Sequence, residues 1–258
     1  MKRSDKRFIK PLILLMIFLI AAAEMTLISS AFADSSIAGP TGLFLTPSPA
    51  VCKPGKFNGA VYWQGYSIQR NGSQSNSNFM ANGLYGISKE LEVGFSKKID
   101  TMQSSYDPGL SLNLKYLFPD AKALKIAAGM VVETDNNSYS SAYIVAGKDV
   151  AYFGLGTNFG GHRAYPLNMA HYGGYNFTDM APQNFYFLAG ANFDLKIAQF
   201  TVEYNSDMFS IGFRVPTVEG YNINLAYTSD SDYDILHRYT YGDSYKRQQV
   251  TLGVSGTF

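Results

Sequence analysis

Residues Val250–Phe258 read VTLGVSGTF: Val250, Leu252 and Val254 alternate with Thr251, Gly253 and Ser255, and Phe258 is the last residue of the sequence. An apolar residue at every second position, facing small and polar ones, marks a strand whose two sides meet different media. Upstream, LEVGFSKK sets Leu91, Val93 and Phe95 against Glu92, Gly94 and Ser96. LSLNLKYLF sets Leu110, Leu112, Leu114, Tyr116 and Phe118 against Ser111, Asn113 and Lys115. The same alternation recurs in LKIAAGMVVE from Leu124, MFSIGFRV from Met208 and YNINLAYT from Tyr221. Less regular segments of the same kind cover Phe57–Ile68, Phe79–Ile87, Ser141–Gly147, Ala151–Phe159, Phe185–Phe193 and Ala198–Tyr204, which brings the tally to about twelve strands.

Composition agrees with an all-β chain. The 258 residues include 19 Tyr, 18 Phe and 24 Gly, which favour strands and tight turns. The formal net charge of +1 leaves no basic field to hold nucleic acid. Cys52 is the single cysteine, so an intrachain disulfide is excluded, and with three histidines in the chain no cysteine-based metal site is expected. No cofactor is expected either.

The N-terminus carries an export signature. Lys2, Arg3, Lys6, Arg7 and Lys10 precede the apolar run Pro11–Ala23, and Ala31-Phe32-Ala33 supplies the small residues of a cleavage site before Asp34. Residues 1–33 therefore read as a cleaved signal peptide; the apolar run, broken by Glu24, falls short of the roughly 20 residues of a spanning helix. Cys52 stands too far from that site to be a lipid-modified first residue. An exported chain without a later spanning helix is either soluble or crosses lipid as a closed β-barrel.

A soluble sandwich also alternates, so the connections decide. From the first strand on, polar connections such as RNGSQSNS (70–77), TMQSSYDPG (101–109), TDNNSYS (134–140), 160–183 and 229–246 alternate with short ones such as SKE, PDAKA, KD, DLK and PTVEG. Asn205–Asp207 is brief where a long loop is due. Short turns on one side and longer loops on the other are the habit of outer-membrane barrels, and an even strand count returns both ends to the periplasmic side. The expected fold is an all-β antiparallel transmembrane barrel of about twelve strands over residues 57–258; ten or fourteen also fit. Outer-membrane lipid then faces the apolar rows, and Val250, Leu252, Val254 and Phe258 form a terminal strand of the kind recognised by the barrel-insertion machinery.

If the apolar rows face lipid, Glu92, Lys115, Lys125, Glu133, Glu203 and Arg214 point into the lumen. A charge on the lipid face would cost about 2–4 kcal/mol for Arg or Lys at midplane. In the lumen these residues either pair with one another and stiffen it, or line a pore.

The stretch AGPTGLFLTPSPAVCKPGKF, through Gly39, Thr41, Gly42, Leu43, Thr46, Pro47, Ala50 and Gly55, resembles the opening of the YjbH-like outer-membrane β-barrel family. FTVEYNSDMFSIGFRV, around Glu203, Tyr204 and Asn205, resembles that family's strand, turn and strand with an acidic residue before an aromatic one. The best known members are much longer, so the chain looks like a single-barrel short member. The resemblance implies an outer-membrane role in exopolysaccharide or envelope-glycan export or assembly, with the polymer or periplasmic export proteins as partners. On the residues themselves, no enzymatic activity is expected.

Other readings stand beside this one. A narrow porin-like channel fits the same role, and a general small-solute porin is the alternative. A barrel-rim lipid or glycan hydrolase would draw on His162, His171 or His237, without a GxSxG or HExxH spacing to support it. A surface glycan binder would use the aromatic loop Tyr165–Phe177. Residues 34–56, with Pro40, Pro47, Pro49 and Pro54, cannot be a regular helix or central strand. They are expected either to form a periplasmic leader or to partly plug the barrel mouth, because Leu43, Phe44 and Leu45 need cover.

Overall fold

In a computed structural model the residues described are 34–258, apart from 38, 70–72, 101–109, 120–123, 135–139, 149, 159–184, 196, 206–207, 218–219 and 231–245. The signal-peptide segment, the three histidines and the aromatic loop lie outside them. Twelve strands follow in order: β1 Phe57–Gln69, β2 Ser73–Gly86, β3 Leu91–Asp100, β4 Leu110–Phe118, β5 Lys125–Glu133 and β6 Ser141–Gly147. They continue as β7 Ala151–Asn158, β8 Phe185–Asp194, β9 Gln199–Asn205, β10 Met208–Pro216, β11 Tyr221–Asp230 and β12 Lys246–Thr257.

Each strand pairs antiparallel with its sequence neighbours, and β1 pairs with β12 to close the barrel. The closing register runs from Asn58 opposite Thr257 to Gln69 opposite Lys246. Closure leaves no edge strand with unpaired amides, the condition for a sheet to stand in lipid. At one mouth the connections are 87–90, 119–124, 148–150, 195–198 and 217–220, with residue 56 and the C-terminus beside them. At the other mouth the chain passes from Gln69 to Ser73, Asp100 to Leu110, Glu133 to Ser141, Asn158 to Phe185, Asn205 to Met208 and Asp230 to Lys246.

The first of these is shorter than the sequence suggests. RNGSQSNS was expected to be loop, but β1 and β2 keep pairing to Gln69 opposite Ser73. The reason is compositional: Ser73–Ser77 carry polar residues on both faces, so no apolar row reveals the strand, while backbone pairing continues regardless.

The two faces of the wall differ as the alternation requires. Outward rows such as Leu110, Leu112, Leu114, Tyr116 and Phe118 of β4, and Val250, Leu252 and Val254 of β12, are exposed. An apolar belt around a closed sheet suits lipid and would be anomalous in water. Inward, the β5–β8 side of the lumen is filled by Val131, Tyr143, Val145, Tyr186 and Leu188. The β10–β2 side holds Tyr62, Met80, Met208 and Ala226 around three residues from outside the wall, Ile37, Phe44 and Leu45.

A plugged lumen as the candidate functional site

Those three residues belong to the segment before β1, which turns back into the barrel from the short-turn mouth. Asp34, Ser35, Ile37, Thr41 and Leu43–Thr46 are all buried. The segment folds on itself as a tight turn: Leu43 N donates to Thr46 O at 3.0 Å, Gly42 bridges Pro47, and Ile37 N donates to Phe44 O at 2.8 Å. Glycine is required at two places. Gly39 has a φ of +111°, and a Cβ on Gly42 would lie 2.1 Å from the Thr46 carbonyl oxygen.

A turn of this kind inside a barrel leaves its own amides and carbonyls away from water, and each needs a partner. The wall supplies them with charged side chains. Glu203 on β9 accepts Phe44 N at 2.8 Å, Leu45 N at 2.7 Å and Thr46 N at 2.8 Å, and also the Thr46 hydroxyl at 3.0 Å. Arg214 on β10 donates to the Gly42 and Leu43 carbonyls, both at 2.9 Å, and its guanidinium lies 5.1 Å from the Phe44 ring centroid. One anion thus takes consecutive amides while one cation takes the carbonyls just before them.

A second pair repeats the scheme. Glu92 on β3 accepts Thr41 N at 2.9 Å, Cys52 N at 2.6 Å and the Thr41 hydroxyl. Lys115 on β4 pairs with Glu92 at 3.0 Å and donates to the Thr41 carbonyl at 2.7 Å. Both side chains are fully buried, a placement that is costly unless every charge is paired and hydrogen-bonded, as here.

Further contacts fix the rest of the segment. Asp34 receives Asn58 at 3.0 Å, Asn222 at 2.7 Å and Ser255 at 3.1 Å, which ties its carboxylate to β1, β11 and β12. Tyr62 donates to the Ser35 carbonyl at 2.7 Å, and the Thr46 and Tyr152 hydroxyls meet at 2.5 Å. Where the segment leaves the lumen, Pro54 bridges Gly86 and Gly55 N donates to Gly86 O at 2.8 Å. Cys52 is buried at this exit; burial, and then the negative charge of Glu92, pushes its thiol up.

Of the charged residues expected in the lumen, the structure brings Glu92, Lys115, Glu203 and Arg214 together on the segment. Glu133 is buried at the long-loop end of β5, away from them. Lys125 opens β5 at the short-turn mouth and is exposed, because a strand's first residue stands at the rim. Gly39, Thr41, Gly42, Leu43, Thr46 and Pro47 form or flank the turn. Sequence reasoning passed over Asn58, Tyr62, Tyr152 and Asn222, whose polar groups hold the segment. Polar residues on an inward row were the available signal. Among the described residues no His, Cys, Asp and Glu group is placed to hold a metal ion.

No family model and no curated protein matches the chain. Solved barrels do. The KdgM porin aligns at 10% identity over 76% of this chain and 99% of its own, with a TM-score of 0.47. Outer-membrane phospholipase A from Escherichia coli aligns at 11% identity over 77% and 92%, with a TM-score of 0.40. Ail, the attachment invasion locus protein of Yersinia pestis, in complex with the heparin analogue sucrose octasulfate, aligns at 11% identity over 80% and 99%, with a TM-score of 0.26. The likeness goes no further than the barrel form; the ligand and the activities belong to those proteins.

Proposed function

We propose that the protein is an outer-membrane barrel of the YjbH-like type that serves exopolysaccharide or envelope-glycan export, with its own N-terminal segment as the plug of the conduit. The observation that carries this reading is the seating of Thr41–Thr46 inside the barrel on Glu92, Lys115, Glu203 and Arg214. Most of the residues that resemble the family's opening, Gly39 through Pro47, lie in this turn. The apolar outer belt supports a lipid setting, and in this reading the short-turn mouth is periplasmic.

A freely open small-solute porin fits less well, since the turn and its clamps occupy the lumen on the short-turn side. The role is non-enzymatic in this reading; the histidines that a rim hydrolase would use lie outside the described residues. Deleting the gene in the producing cell should lower exported surface glycan, and re-expression of the full chain should restore it. Unchanged glycan export in the deletion strain would sink the proposal.

A further inference from the structure

Once the clamps are accounted for, the described part of the lumen wall is a surface of amides and hydroxyls with as many buried cations as anions. Among the described wall residues the buried carboxylates Glu92, Glu133 and Glu203 equal the buried cations Lys98, Lys115 and Arg214 in number; Lys115 pairs with Glu92, and Arg214 lies 4.0 Å from the buried Asp34 of the plug. The amides are less well served. Asn78, Asn113, Gln199 and Asn205 are at most 5% exposed, and none has a hydrogen bond to either amide atom among the described residues. Native interiors seldom leave such groups unmade, so each can take a hydrogen bond from water or from a ligand in the lumen. Asn78 and Asn205 lie towards the long-loop mouth, Gln199 opens β9 at the short-turn mouth, and Asn113 stands beside Gly39 of the plug.

These four groups span the wall from mouth to mouth. Each offers a donor and an acceptor side by side, the combination that two neighbouring hydroxyls of a sugar ring satisfy. Tyr143 on β6, whose ring packs in the apolar cluster of that side, adds a buried hydroxyl without a partner among the described residues. A polyanion would need surplus cations along the wall, and the buried charges of the described residues provide none.

We infer that the lumen is a track for an uncharged, polyhydroxylated chain, bound through Asn78, Asn113, Gln199 and Asn205 when the plug yields. This rests on the conduit reading above and names its substrate class. The test is single-channel recording on the full-length chain, wild type and Glu203→Gln, with barrel integrity checked by heat-modifiable mobility. Maltohexaose, hexagalacturonate and a neutral glycine-rich peptide of similar length serve as probes. Maltohexaose should block the Glu203→Gln channel with resolved residence times, which Asn205→Ala and Asn78→Ala should each shorten about fivefold, the equivalent of one hydrogen bond. Equal block by hexagalacturonate or by the peptide, or a conducting channel indifferent to maltohexaose, would overturn the substrate class alone. Intact barrels that never conduct in either form would overturn the conduit, and the track with it.

Discussion

Glu203 and Thr46 meet across the lumen, 157 positions apart in the chain: one carboxylate oxygen accepts both the Thr46 amide at 2.8 Å and the Thr46 hydroxyl at 3.0 Å. The same carboxylate holds the two preceding amides. Glu203→Gln keeps the size and removes the charge. Hydrogen bonds to a charged group contribute roughly 1.5–3 kcal/mol, so the turn should loosen by about that amount while the barrel persists. Cys52, buried in the same segment, reports the change: an aqueous maleimide should label it at least tenfold faster in the variant. Equal labelling rates would show that Glu203 does not hold the plug.

Lys115→Met should be more damaging, because it leaves Glu92 buried with its amide donors but no cation. Breaking a buried pair on one side costs roughly 3–5 kcal/mol. The double variant Glu92→Gln with Lys115→Met should recover part of that loss. Denaturant midpoints in detergent give the comparison; a double variant as unstable as the sum of the singles would argue against coupling.

Gly42→Ala tests shape rather than charge. The added methyl would meet the Thr46 carbonyl at 2.1 Å, which is backbone and cannot step aside. The plug should be expelled while strand pairing survives, seen as fast Cys52 labelling with normal heat-modifiable mobility. Slow labelling in this variant would mean that the turn has another way to close.

The Cys52 thiol is raised above its ordinary range by burial first and the Glu92 charge second. A raised folded value favours the protonated form, so this group contributes to the seated state fully below the ordinary thiol pKa and loses that contribution as pH rises through the raised one. Maleimide labelling should therefore stay slow through pH 8–9 and climb more steeply above it than for a free thiol. Cys52→Ser should remove the alkaline loosening, followed by protease cutting within 34–56; a variant with the same alkaline profile would place the sensitivity elsewhere.

Phe258 packs edge-on against Tyr221, with ring centroids 5.7 Å apart, and exchanges backbone hydrogen bonds with Phe57. Deleting it should reduce the heat-modifiable barrel recovered from the membrane fraction. Full recovery would argue against the terminal strand as an insertion signal.

Much of the wall is legible in the sequence because period two is a local signal: Leu110 to Phe118 shows its lipid row without reference to any other strand. The inward placement of Glu92 or Arg214 follows from the same rule. What these charges bind does not, since their partners are backbone amides and carbonyls that have no letter of their own. The turn at Gly42–Pro47 could be suspected from its glycine and its proline, but its seat depends on contacts between residues more than 150 positions apart, as for Phe44 and Glu203. Nothing local encodes those, nor the polar strand Ser73–Ser77.

The seam between β1 and β12 joins Phe57, where the plug leaves off, to Phe258, the last residue. The ring is thus completed by the two most distant parts of the barrel sequence, and it closes around a thread already rooted in one of them. Such a contact is the slowest kind to form. The order of events matters as much as the finished contacts: a thread still outside when the seam zips would have to pass back through a mouth whose wall is already shut.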